Sequence, residues 1–144
     1  RAKNHNVEAL VFKPNDYESK EAYESMIVDR LNELNVDLIC LAGYMRICGK
    51  VLLDSYEGKI INIHPALLPS FKGAHGILDA YNYGVKVFGV TVHYVDSGMD
   101  SGKIIAQRSF DYIEGETVDE VEAHIHDIEH VLYPEVVKKL CEEK

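Results

Sequence analysis

The 144 residues suffice for one domain with a real core, and a make-up of 47% hydrophobic and 27% charged residues is that of a globular chain, not a disordered one. Twenty-four acidic side chains against 15 basic ones leave a net charge of −9, which repels phosphate backbones and anionic lipid and disfavours nucleic acid and membrane as partners. No run approaches the ~20 apolar residues of a membrane helix, no apolar signal region opens the chain, and three cysteines without a CxxC pair read as reduced apolar fillers; a cytoplasmic protein with small-molecule substrates is expected.

In chain order, residues 7–12 form a short apolar run before Lys13-Pro14-Asn15-Asp16 and predict a strand. Ser19 is placed to cap a helix whose apolar face is Tyr23, Met26, Ile27, Leu31 and Leu34. Residues 38–42 are continuously apolar up to Gly43, as in a strand covered on both faces. A short helix follows at 50–56, then a strand at 59–63 that delivers Asn62 and His64 at its end. A turn-rich loop from His64 to Gly73 leads to a helix at 77–83, stopped by Gly84. Residues 87–95 and 103–110 are β-rich and flank a glycine-containing loop, which favours an antiparallel hairpin. Thr117 and Glu120 form a capping box for the last helix, with Val121, Ile125, Ile128 and Leu132 as its buried stripe and Pro134 expected to kink or break it. The sum is an α/β fold: a mostly parallel, Rossmann-like sheet flanked by helices, with an antiparallel C-terminal hairpin.

Open α/β sheets bind ligands beyond the carboxyl ends of their strands. Residues 43–46, the stretch Asn62-Ile63-His64-Pro65 and the 96–102 loop converge there. Asn62 and His64 are two apart and share a face of their strand. An amide and an imidazole aimed at one point suit a tetrahedral oxyanion, and Asp100 would orient His64 and favour its protonated form. No side chain need be the nucleophile if the substrate brings an amine. His126-Asp127-Ile128-Glu129-His130 formally matches H-x-x-E-H, but exposed helix histidines without a third ligand make a weak zinc site. His64, His93 and Asp100 could also be read as a two-histidine, one-carboxylate set, although His93 is more simply a strand residue packed beneath the loop. No metal is expected.

The stretch Asn62-Ile-His-Pro-Ala-Leu-Leu-Pro-Ser-Phe-Lys-Gly73 resembles the signature of the folate-dependent formyltransferases. Leu41-Ala-Gly-Tyr-Met-Arg-Ile-Cys48, Gly89-Val-Thr-Val-His-Tyr-Val95 and Met99-Asp-Ser-Gly102 extend the resemblance over nearly the whole chain. It implies transfer of a formyl group from 10-formyltetrahydrofolate to the amine of glycinamide ribonucleotide in purine synthesis, with Asn62, His64 and Asp100 catalytic. It further implies a folate site at Met45, Arg46, Ile47, Cys48, Asn62 and Val95, assisted by Lys20 where relatives commonly carry arginine, and a ribose contact from Glu129. Lysine keeps the charge at that position but not the bidentate fork.

Relatives begin with a strand and a glycine-serine loop that holds the substrate phosphate on backbone N–H groups. Here no two glycines stand as G-x-G, so the expectation is one formyltransferase domain over residues 1–144 without the phosphate-binding strand-loop-helix. Two relatives of the same chemistry compete: a formyltetrahydrofolate hydrolase, with water as acceptor, and a transfer-RNA formyltransferase, which the acidic charge disfavours. A non-catalytic folate-binding fragment is the remaining alternative.

Overall fold

A computed structural model describes residues 2–43 and 48–143. Four strands, β1 (Ile39–Leu41), β2 (Ile60–His64), β3 (Val87–Tyr94) and β4 (Ile104–Asp111), form one sheet in that order. β1 and β2 run parallel, whereas β3 is antiparallel to both β2 and β4. Among the described residues, four α-helices, α1 (Lys20–Glu33), α2 (Lys50–Ser55), α3 (Gly76–Tyr83) and α4 (Val118–Glu142), complete the mixed α/β fold.

Period-2 alternation splits the sheet into two faces. Ile61, Val90 and Val92 point to one face and are fully buried against Val121, Ile125 and Leu132 of α4 and Ala80 of α3. Each such aliphatic side chain contributes about 1.5–3 kcal/mol by leaving water. Ile60 points to the other face, into a smaller cluster with Val28 of α1 and Cys48, Leu52 and Tyr56 around α2. Beyond Ile60 that second face turns polar, and loops rather than helices cover it.

The caps expected from sequence are present: Ser19 accepts from the Ala22 N–H at 3.1 Å, and Thr117 and Glu120 make a reciprocal capping box. Gly84 ends α3 with φ +86°, a backbone region that glycine enters without penalty.

Four expectations need correction. Residues 7–12 form no strand; an apolar run without a ladder partner gains nothing from extension, and Val7, Leu10 and Val11 stay exposed. The buried face of α1 is Tyr23, Glu24 and Val28, with Met26 and Leu34 exposed. The cause is Glu24, whose carboxylate goes inside to accept the Gly49 N–H at 2.7 Å and the Leu52 N–H at 3.2 Å. Cys40 and Cys141 are exposed, and Cys48 alone of the three is buried, so β1 is not covered on both faces. Pro134 does not break α4, which continues to Glu142; Leu132 and Val136 anchor it on either side of the proline, and the Tyr133 hydroxyl donates to the carbonyls of Leu41 at 2.6 Å and Ile61 at 3.3 Å.

Candidate active site

Directly opposed residues of an antiparallel pair point to the same face. The β2–β3 register sets Asn62 against His93 and His64 against Thr91, and the β3–β4 register sets Thr91 against Gln107. Alternation therefore gathers an amide, two imidazoles, a hydroxyl and a second amide on one side of three neighbouring strands, while Ile61, Ile63, Val90 and Val92 hold the other side to the core.

This polar row organises the loops above it. Thr91 Oγ1 donates to the Ala66 carbonyl at 2.7 Å and accepts the Leu68 N–H at 3.1 Å. Gln107 Nε2 donates to the Leu68 carbonyl at 2.9 Å and to Thr91 Oγ1 at 3.0 Å. The segment after His64 is thus pinned to the sheet, with a cis Leu68-Pro69 bond and Phe71 at φ +53°. Phe71 turns its carbonyl inward to accept from His64 Nε2 at 2.8 Å.

The second loop is held by Asp96, which accepts from the Gly98 N–H at 2.9 Å and the Ser101 hydroxyl at 2.7 Å. These hydrogen bonds, Ser101 first, lower its pKa below the ordinary 3.8. Asp100 takes a left-handed backbone, φ +51°, which aspartate tolerates better than most side chains. That geometry turns its carboxylate back over the polar row. Oδ2 accepts the Gly73 N–H at 2.8 Å and lies 3.5 Å from His64 Nδ1, and Oδ1 lies 3.8 Å from His93 Nε2.

Beside this cluster opens a cavity of about 880 Å³ at the carboxyl ends of β1 and β2, within the range of small-molecule sites. Asn62, His64 and Asp100 line it, together with Cys48, Val95 and Glu129. Burial, and secondly the charge of Glu24, pushes the Cys48 thiol pKa up, with Lys20 opposing; the thiol is a neutral wall, not a nucleophile. Glu129 accepts from His126 Nδ1 at 2.7 Å, and this hydrogen bond is the main cause that raises His126 above its ordinary 6.5.

Lys20, the first residue of α1, is exposed and lies outside the cavity lining, near enough to Cys48 to act on its thiol. Met45, Arg46 and Ile47 lie outside the described residues. His126 and His130 sit exposed on the cavity rim, and among the described residues no three histidine, cysteine or acidic side chains are grouped as a metal requires. His93 lies in β3 beneath the Asp100 loop, as its place in the strand suggested. Thr91, Gln107 and the Phe71 carbonyl were not foreseen; the alternation Val90-Thr91-Val92-His93 signalled the first, while the carbonyl left no trace in the sequence.

An amide, a carboxylate-backed imidazole and a mostly apolar cavity at the strand ends define a site suited to acyl-group chemistry on a small molecule. The formyl transferase family model matches residues 1–137, and the chain belongs to that family. It is 49% identical to the phosphoribosylglycinamide formyltransferase of Bacillus subtilis over 97% of its own length and 72% of that protein. Among solved structures it superposes on the phosphoribosylglycinamide formyltransferase of Streptococcus pneumoniae with a TM-score of 0.94 at 52% identity, covering 96% of this chain and 77% of that one. Glycinamide ribonucleotide transformylase 1 from Geobacillus kaustophilus gives a TM-score of 0.93 at 53% identity, with 96% and 74% covered.

Proposed function

We propose that the chain transfers the formyl group of 10-formyltetrahydrofolate to the amine of glycinamide ribonucleotide. The observation that carries this reading is the convergence of Asn62, His64, Asp100, Cys48, Val95 and Glu129 on one cavity, in a chain with about half its residues identical to an enzyme named for that acceptor.

The substrate amine attacks the formyl carbon, and the carbonyl oxygen becomes an oxyanion. Asn62 offers its carboxamide N–H and His64 a ring N–H from Nδ1, the nitrogen that lies beside Asp100. The Phe71 carbonyl accepts from His64 Nε2 and so fixes the ring with Nδ1 towards Asp100. Collapse of the tetrahedral adduct breaks the bond to the folate nitrogen, which takes up a proton as the attacking amine loses one. The folate ring system packs between Cys48 and Val95, and Glu129 accepts from the ribose hydroxyls. His126 holds Glu129 in place for that contact.

The test is the chain's turnover of 10-formyltetrahydrofolate with and without glycinamide ribonucleotide. Formylated amine formed in step with tetrahydrofolate supports the proposal. Tetrahydrofolate and free formate appearing at the same rate without the amine would instead identify a hydrolase, and tight folate binding without product would leave only a binding module.

A further inference from the structure

His93 is buried, 2% exposed, and belongs to neither the oxyanion donors nor the hydrophobic core. Its Nδ1 contacts the carbonyl of Tyr94 at 2.9 Å. A carbonyl only accepts, so Nδ1 must carry a hydrogen. Nε2 of the neutral ring is then a bare lone pair, and among the described residues it is the one buried side-chain polar atom without a hydrogen-bond partner. It faces Asp100 Oδ1 at 3.8 Å, an atom that also offers only lone pairs when ionised.

His64 repeats the arrangement in mirror form. The Phe71 carbonyl fixes hydrogen on Nε2, leaving Nδ1 towards Asp100 Oδ2 at 3.5 Å. Two backbone carbonyls thus set two imidazoles so that each presents its other nitrogen to one carboxylate, whose own described donor is the Gly73 N–H. A buried acceptor facing a buried acceptor is unfavourable until a proton lies between them. A proton between them turns the opposition into an attraction and lets the 3.8 Å gap close to a hydrogen bond.

We propose that His93 is a positioning residue of the formyl-transfer site: through a proton shared with Asp100 it fixes the carboxylate that orients His64. The inference rests on the formyl-transfer reading for its catalytic consequence but not for its geometry. Gly73 and His64 hold only Oδ2, so His93 is the group placed to hold Oδ1. A glutamine at 93 can still donate an N–H to Oδ1, whereas a leucine of similar bulk cannot.

The decisive comparison is of wild type, His93→Gln and His93→Leu, read by the ring-nitrogen NMR signals of His64 without substrate and by steady-state formyl transfer. The expected result is a displaced His64 Nδ1 signal in His93→Leu, restored towards wild type in His93→Gln. In the assay, kcat should fall on the order of 10²-fold for leucine, with little change in KM, and glutamine should recover most of it. An unmoved His64 signal in His93→Leu, or equal losses of kcat in both variants, would overturn the proposal. If the leucine variant does not fold, Asp100→Asn decides from the other side: the His93 Nε2 signal moves if that nitrogen shares a proton with residue 100, and stays put if the ring only packs. A wild type without turnover would count against formyl transfer alone, because the nitrogen spectra are read without substrate.

Discussion

Asn62 and His93 stand directly opposite one another on β2 and β3, so the amide assigned to the oxyanion and the imidazole assigned to Asp100 are set by a single strand register. His64, two residues on from Asn62, completes the group from the same side.

Asn62→Ala and His64→Ala should each lower formyl-transfer turnover by about 10²–10³-fold, the usual loss for one oxyanion donor. Both variants should keep the wild-type circular dichroism spectrum, since the core lies on the opposite face. Near-wild-type turnover in either one sinks the assignment.

Glu24→Ala should destabilise the chain by about 1–3 kcal/mol, because the Gly49 and Leu52 N–H groups lose their acceptor in a buried setting. Gly49 follows Cys48, which lines the cavity, so KM for the formyl donor should rise more than kcat falls. Denaturant titration and steady-state kinetics check the two halves separately; an unchanged midpoint would remove Glu24 from the fold's support.

His126 supplies a pH test. Its folded-state pKa is raised, chiefly by Glu129, so the stabilisation is fully present below the ordinary 6.5 and is lost as pH rises through the raised value. The side chain is half exposed, which keeps the effect small. His126→Gln should therefore melt below wild type under mildly acidic conditions, and the gap should close as the solution becomes alkaline. A gap that widens with pH would reverse the sign and discard the pairing.

Much of this architecture was legible because it is local. Asn62 and His64 follow from period 2 in a short strand, the Thr117 box from its own four residues, and the hairpin from one glycine-rich loop. What escaped depended on distant partners. His93 reads from sequence as a strand residue beneath the loop, but its place opposite Asn62 comes only with the strand register. Glu24 looks solvent-facing until the start of α2, 25 residues away, presents N–H groups to it. The apolar run at 7–12 has the composition of a strand, but a strand exists only where a neighbour offers its backbone.

Thr91 and His93 alternate with Val90 and Val92 along β3, so chemistry and core are written in the same eight letters. Losing or gaining a single residue early in that strand would turn both valines towards the cavity and both polar side chains into the hydrocarbon interior. Point substitutions can tune this enzyme, but an insertion or deletion there would cost it function and foldedness in one step.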